Sequence, residues 1–105
     1  MPVPAIDLPI EQIAEICRRY DVKQLELFGS ILRENFLADS DVDLLVTFEE
    51  DSPIGLFEFA DLQEELRALL GREVDLVSRR GVEQTENWIR RTEVLKNTRS
   101  IYAAR

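Results

Sequence analysis

Two spacings of apolar residues alternate along this chain. Ile10, Ile13, Ala14, Cys17 and Tyr20 recur every three or four positions, which predicts an amphipathic helix. Lys23 to Phe28 alternates instead, with Leu25 and Leu27 on one face of a strand that stops at Gly29. Ser30 to Asn35 can form a short helix starting at that turn. The clearest strand runs from Asp41 to Phe48. Its even positions, Val42, Leu44, Val46 and Phe48, form an apolar face, while the other face opens with Asp41 and Asp43. A polar turn follows, then a helix of about fifteen residues with Leu56, Phe59, Ala60, Leu62, Leu66, Leu69 and Leu70 as its buried stripe and Gly71 as its stop. Glu73 to Ser78 is a third strand, with Val74 and Leu76 on one face and Asp75 on the other. Gln84 to Asn97 is predicted helical, held by Trp88, Ile89, Val94 and Leu95, and Ile101 to Ala103 is a last short strand. The lead-in, Met1 to Pro9, is extended. The order suits an α+β (mixed α/β) fold with helices packed against a small sheet.

Length and charge narrow the class. With 105 residues the expectation is one domain over 1–105, with its core from about 10 to 103. Hydrophobic residues at 45% and charged residues at 32% describe an ordinary globular chain. No apolar run nears the roughly 18 residues of a membrane span. The opening residues carry neither the basic end nor the apolar block of a signal peptide. Cys17 is the single cysteine, so the expected compartment is a reducing cytoplasm. A net charge of -8 argues against direct nucleic-acid binding. That charge is uneven: Met1–Ser78 holds 6 basic and 18 acidic residues, and Arg79–Arg105 holds 7 basic and 3 acidic. The basic tail, including Arg79 and Arg80, suits phosphates or an acidic partner, or is simply solvated. Trp88 and Cys17 are expected to pack.

The chemistry concentrates at Gly29-Ser30 and, ten residues on, Asp41-Val42-Asp43. Glycine at a strand end lets backbone approach a ligand closely. Ser30 adds a hydroxyl donor, and a helix starting there would offer free N–H groups to an anion. Taken alone, Gly-Ser is equally a turn or a cap. Two carboxylates two apart on a strand share a face and repel unless a cation lies between them. Hard divalent cations take such oxygens. The plainer alternative is a turn at Ser40-Asp41 with Asp43 exposed at a strand start. Asp75 shifts the balance: if its strand neighbours the Asp41 strand, three carboxylates share one face, and the third can complete a metal cage and draw a proton from an attacking hydroxyl.

Leu27-Phe28-Gly29-Ser30 followed by Asp41-Val42-Asp43-Leu44-Leu45-Val46 resembles the nucleotidyltransferase superfamily related to DNA polymerase beta, and more closely the minimal nucleotidyltransferase (MNT) proteins of prokaryotes. The likeness continues through Leu62-Gln63-Glu64-Glu65-Leu66 and Val74-Asp75-Leu76-Val77. It implies that Asp41, Asp43 and Asp75 hold two Mg²⁺ ions and that Gly29 and Ser30 hold the phosphates of a nucleoside triphosphate. Arg33 stands where relatives often carry a basic residue, and is either a phosphate contact or a surface partner of Glu34 or Glu26. The bulky Ile31-Leu32 pair departs from the small residues common after the glycine in relatives.

The implied activity is transfer of AMP from ATP to a hydroxyl, most simply a tyrosine, of a partner HEPN-domain RNase toxin. The chain would then be the antitoxin in a hetero-oligomer. Two other readings stay open. One is an idle antitoxin that masks its toxin sterically. The other is a small-molecule nucleotidyltransferase, though this chain has no room for the extra helical domain that usually binds such an acceptor.

Overall fold

The computed structural model describes residues 8–32 (backbone alone at Ser30) and 41–104. Four strands form one sheet in the order β3-β2-β1-β4, where β1 is Val22–Phe28, β2 Val42–Phe48, β3 Val74–Ser78 and β4 Thr98–Ala103. Central β1 is antiparallel to both β2 and β4, whereas β2 and β3 are parallel and are joined by a crossover helix. That helix, α2 (Leu56–Leu70), lies with α1 (Ile10–Arg19) over one face. Ile13, Ile16 and Cys17 of α1, Leu62 and Leu66 of α2, and the inward residues Leu25, Leu27, Val42, Leu44, Val46, Val74 and Leu76 make the main core. Burial in this core pushes the Cys17 thiol up to about 12, which leaves it a packing residue with no nucleophilic role.

Strand alternation sends the other set of side chains to the opposite face. There Phe28 and Leu45 pack with Val82 and Val94, from α3 (Arg79–Gln84) and α4 (Trp88–Lys96). The chain thus breaks where one helix over Gln84 to Asn97 was expected. The Ser78 hydroxyl accepts the Gly81 N–H at 3.0 Å and starts α3 directly after β3. Thr85 then turns extended, and Asn87 caps α4 by accepting the Arg90 N–H at 3.1 Å. The break also exposes Trp88 and Ile89, so neither packs as expected: Trp88 is 64% exposed. The stripe on α2 is narrower than expected as well. Leu56 and Ala60 are exposed; packing begins at Phe59, whose ring meets Phe48 edge-on at 6.3 Å.

Arg79 is paired as well, against the expectation of a solvated or ligand-seeking arginine. It reaches across the second face to Glu26, which is only 5% exposed, with Nη2 donating to Oε1 at 2.5 Å. The Thr98 hydroxyl donates to Oε2 of the same carboxylate at 2.6 Å. One buried acid therefore ties β1, β4 and α3 together.

A second clasp joins α1 to α2 on the outside. Arg19 donates to Glu65 through both terminal nitrogens, at 2.6 and 3.1 Å, and the Tyr20 hydroxyl donates to the same carboxylate. Arg19, then Tyr20, hold the Glu65 carboxyl below its ordinary value, while the bond to Glu65 pushes the Tyr20 phenol from 10.0 to about 12. The signs are opposite. Glu65 contributes above the ordinary carboxylate range and loses its contribution as pH falls through its folded value. Tyr20 contributes fully below 10.0 and loses it as pH rises through about 12. Ultraviolet titration should show a tyrosine ionising near 12 in the native protein that moves down in Glu65→Gln; a titration curve unchanged by the substitution would refute the clasp.

Candidate active site

The site lies where β1 ends and β2 and β3 begin, on the face opposite the main core. Phe28, the last residue of β1, is the register partner of Asp43 on antiparallel β2. The chain leaves β1 through Gly29 at φ +76°, a left-handed conformation that glycine adopts without strain, and enters a 3₁₀ turn over Gly29–Leu32. Ile31 is fully buried in the main core and anchors that turn.

Asp43 explains the glycine. A Cβ built on Gly29 would clash with Asp43 Oδ2 and come within 3.2 Å of its Cγ. The carboxylate is thus seated directly against the bare Cα of the turn, half-buried. Both the conformation and the close approach demand glycine here.

On its other side Asp43 is the register partner of Asp75 across the parallel β2–β3 pair, so the two acids stand abreast on adjacent strands. Asp41 lies one residue ahead of β2 and is exposed; the neighbouring Val42 N–H donates to the Glu73 carbonyl at 2.9 Å, tying this end of β2 to β3. The structure thus brings Gly29, Asp43 and Asp75 together and leaves Asp41 two residues before Asp43, just ahead of the strand. The turn that begins at Gly29 carries the Ser30 backbone. Arg33 lies outside the described residues.

Among the described residues, no three acidic side chains converge closely enough to form a metal cage. Asp75 is instead engaged by Arg90 from the first turn of α4, with Nη2 at 3.8 Å from Oδ2. Arg90 is a site residue that sequence reasoning did not find, because its place depends on the break before α4. Glu26 was also missed as a structural centre, although a lone acid between Leu25 and Leu27 is a readable sign of a polar partner on the second face.

The residues present fit a divalent cation with a phosphate ligand. Abreast carboxylates are hard oxygen donors whose mutual repulsion a cation relieves. The bare Cα of Gly29 lets the Asp43 carboxylate sit against the turn, which places the backbone of that turn directly beside the acids.

The nucleotidyltransferase domain family matches residues 10–101. The chain belongs to that family. Among curated nucleotidyltransferases it is similar to the protein adenylyltransferase MntA of Thermococcus cleftensis, 48% identical over 63 residues, or 60% of this chain and 62% of that protein. The match spans less than two thirds of that relative's length. Among solved structures, one described provisionally as a minimal nucleotidyltransferase is 37% identical at a TM-score of 0.65, covering 85% of each chain. Another neighbour is a chain from the complex of tri-AMPylated Shewanella oneidensis HEPN toxin with MNT antitoxin: TM-score 0.61, 18% identity, 90% of this chain and 70% of that one. At that identity it shows the shared nucleotidyltransferase fold. The expected α+β architecture and family are therefore both met.

Proposed function

We propose that this chain works as a single nucleotidyltransferase domain that transfers AMP from ATP to a hydroxyl, most simply a tyrosine, of a HEPN-domain RNase toxin. It would thereby act as the cytoplasmic antitoxin in a hetero-oligomer with that toxin. The observation that carries the reading is the seating of Asp43 against Gly29 with Asp75 abreast of it. The similarity to an MntA protein adenylyltransferase supports the chemistry, and the fold shared with an MNT antitoxin complex supports the partner.

Each residue then has a task. Asp43 and Asp75, with Asp41 from the strand start ahead of them, would hold Mg²⁺ together with the substrate phosphates, two ions in the full form of the proposal. When bound, the ions neutralise triphosphate charge and stabilise the charge that develops in displacement. The backbone of the turn at Gly29 contacts the triphosphate, Ser30 donates a hydroxyl to a phosphate oxygen, and Arg33 adds a phosphate contact. The acceptor oxygen attacks the α-phosphorus, its proton passes to the Asp75 carboxylate, and the bond to the β-phosphate oxygen breaks to release pyrophosphate.

Asp75 is 52% exposed at its side chain, so a macromolecular hydroxyl can reach the site from solvent. Trp88 and Ile89, exposed at the start of the helix that carries Arg90, offer apolar surface for a protein to cover.

The test is intact mass spectrometry of the partner toxin after mixing with this chain, ATP and Mg²⁺, with and without EDTA. Whole adenylyl units should appear only where Mg²⁺ is free. A toxin that stays unmodified yet bound and inhibited would sink the transfer reading and favour steric masking.

A further inference from the structure

Arg19, Arg67, Arg79 and Arg90 each pair with at least one carboxylate, and Arg90 differs in kind. Arg79 grips a buried carboxylate at 2.5 Å. Arg19 grips Glu65 at 2.6 Å, and Arg67 lies between Glu73 and Glu64. The Arg79, Arg19 and Arg67–Glu73 pairs each join two segments of the fold and touch neither Asp43 nor Asp75. Arg90 faces a candidate catalytic acid, Asp75. Its root is fixed, since its N–H is capped by Asn87 at 3.1 Å, but its head is loose: 3.8 Å from Asp75 Oδ2 and 51% exposed. A pair so open contributes little to stability.

Its position has an electrostatic consequence. Asp43 and Asp75 are register partners on one face, and Arg90 supplies a positive charge to one of them. A divalent cation seeking the same oxygens competes with that guanidinium, because like charges at short range repel. A guanidinium displaced from Asp75 would remain within the site, and its planar donor fork matches phosphate oxygens.

We propose that Arg90 is an exchangeable counter-ion: it holds Asp75 until a divalent cation takes that carboxylate, then binds the triphosphate. The inference rests on the nucleotidyltransferase reading and adds to it a phosphate-binding residue outside the motif. It makes the two ligands cooperative. Metal binding frees the guanidinium, and the triphosphate, by engaging it, removes the competitor of the metal.

Two substitutions separate the halves of the exchange. Arg90→Gln removes the charge, whereas Arg90→Lys keeps the charge without the fork. Calorimetric titration with Mg²⁺ alone should show Arg90→Gln binding about threefold or more tighter than wild type, with Arg90→Lys close to wild type. Titration with a non-hydrolysable ATP analogue in saturating Mg²⁺ should show Arg90→Gln about tenfold weaker, with Arg90→Lys recovering part of the loss. Trp88, two residues before Arg90 and the single tryptophan, gives an independent fluorescence signal, and circular dichroism checks that each variant is folded.

Arg90→Gln matching wild type in both titrations would overturn the proposal. So would tighter Mg²⁺ binding with unchanged analogue affinity, since the second half of the exchange would be missing. Failure of wild type itself to bind Mg²⁺ or the analogue would instead strike the underlying nucleotidyl-transfer reading.

Discussion

Asp43→Asn should lower the rate of adenylyl transfer about a thousandfold and leave the fold intact. Asparagine has nearly the shape of aspartate, so the side chain still occupies the space that Gly29 leaves open. What disappears is the charge. Metal-assisted stabilisation of a displacement is worth several kcal/mol, and each 1.36 kcal/mol is a factor of ten in rate. Loss of one of the abreast acids also relieves its repulsion with Asp75, so thermal stability should hold or rise. Initial rates of AMP incorporation into the toxin, with thermal unfolding of the same preparation, measure both effects. A rate within tenfold of wild type in a folded variant would remove Asp43 from the chemistry.

Arg79→Met has the largest expected effect on stability, at about 3 kcal/mol. The cost arises at Glu26 and not at Arg79, whose side chain is 27% exposed. Removing one member of a buried pair strands the other, and such deletions typically cost about 3–5 kcal/mol. Thr98 still donates to the stranded carboxylate, which places this case at the lower end. For a domain near 100 residues that corresponds to a fall in melting temperature of roughly 15 °C. The double variant Glu26→Leu/Arg79→Met should recover much of the loss, because no charge is then left in the interior. Denaturant unfolding of both single variants and the double variant tests this. A cost below about 1 kcal/mol for Arg79→Met would mean that the carboxylate is well served without it.

Most of the sheet, the two long helices and the strand positions of Asp43 and Asp75 were legible in the sequence because each depends on a local periodicity; the convergence of Asp41 with them was not met, since Asp41 lies ahead of β2. Val42, Leu44 and Val46 alternate with Asp43 and Leu45, and the structure puts the first set under the helices and the second on the other face. Gly29 was marked as a turn by its place after an apolar strand. Its reason, the carboxylate of a residue fourteen positions later, is a tertiary fact.

The misreadings have similar physical causes. The single helix expected over Gln84 to Asn97 is instead two, because Ser78 accepts the Gly81 N–H and starts α3 directly after β3. Leu56 and Ala60 match the helical spacing of α2, but the spacing does not tell which turns of a helix have something to lie against. Arg79 and Arg90 gave no local signal, since each finds its acid through α3 or α4 returning across the sheet.

The alternation along β2 has one more consequence. If β2 slipped by one residue against β1 and β3, Asp43 would enter the layer now filled by Val42, Leu44 and Val46, and those three would face solvent and the short helices. An unpaired carboxylate in that layer would be far costlier than any lost hydrogen bond. The charge proposed for the chemistry therefore also acts as a proofreader of strand alignment during folding: a chain that pairs its strands wrongly cannot become a stable protein with a disarmed site.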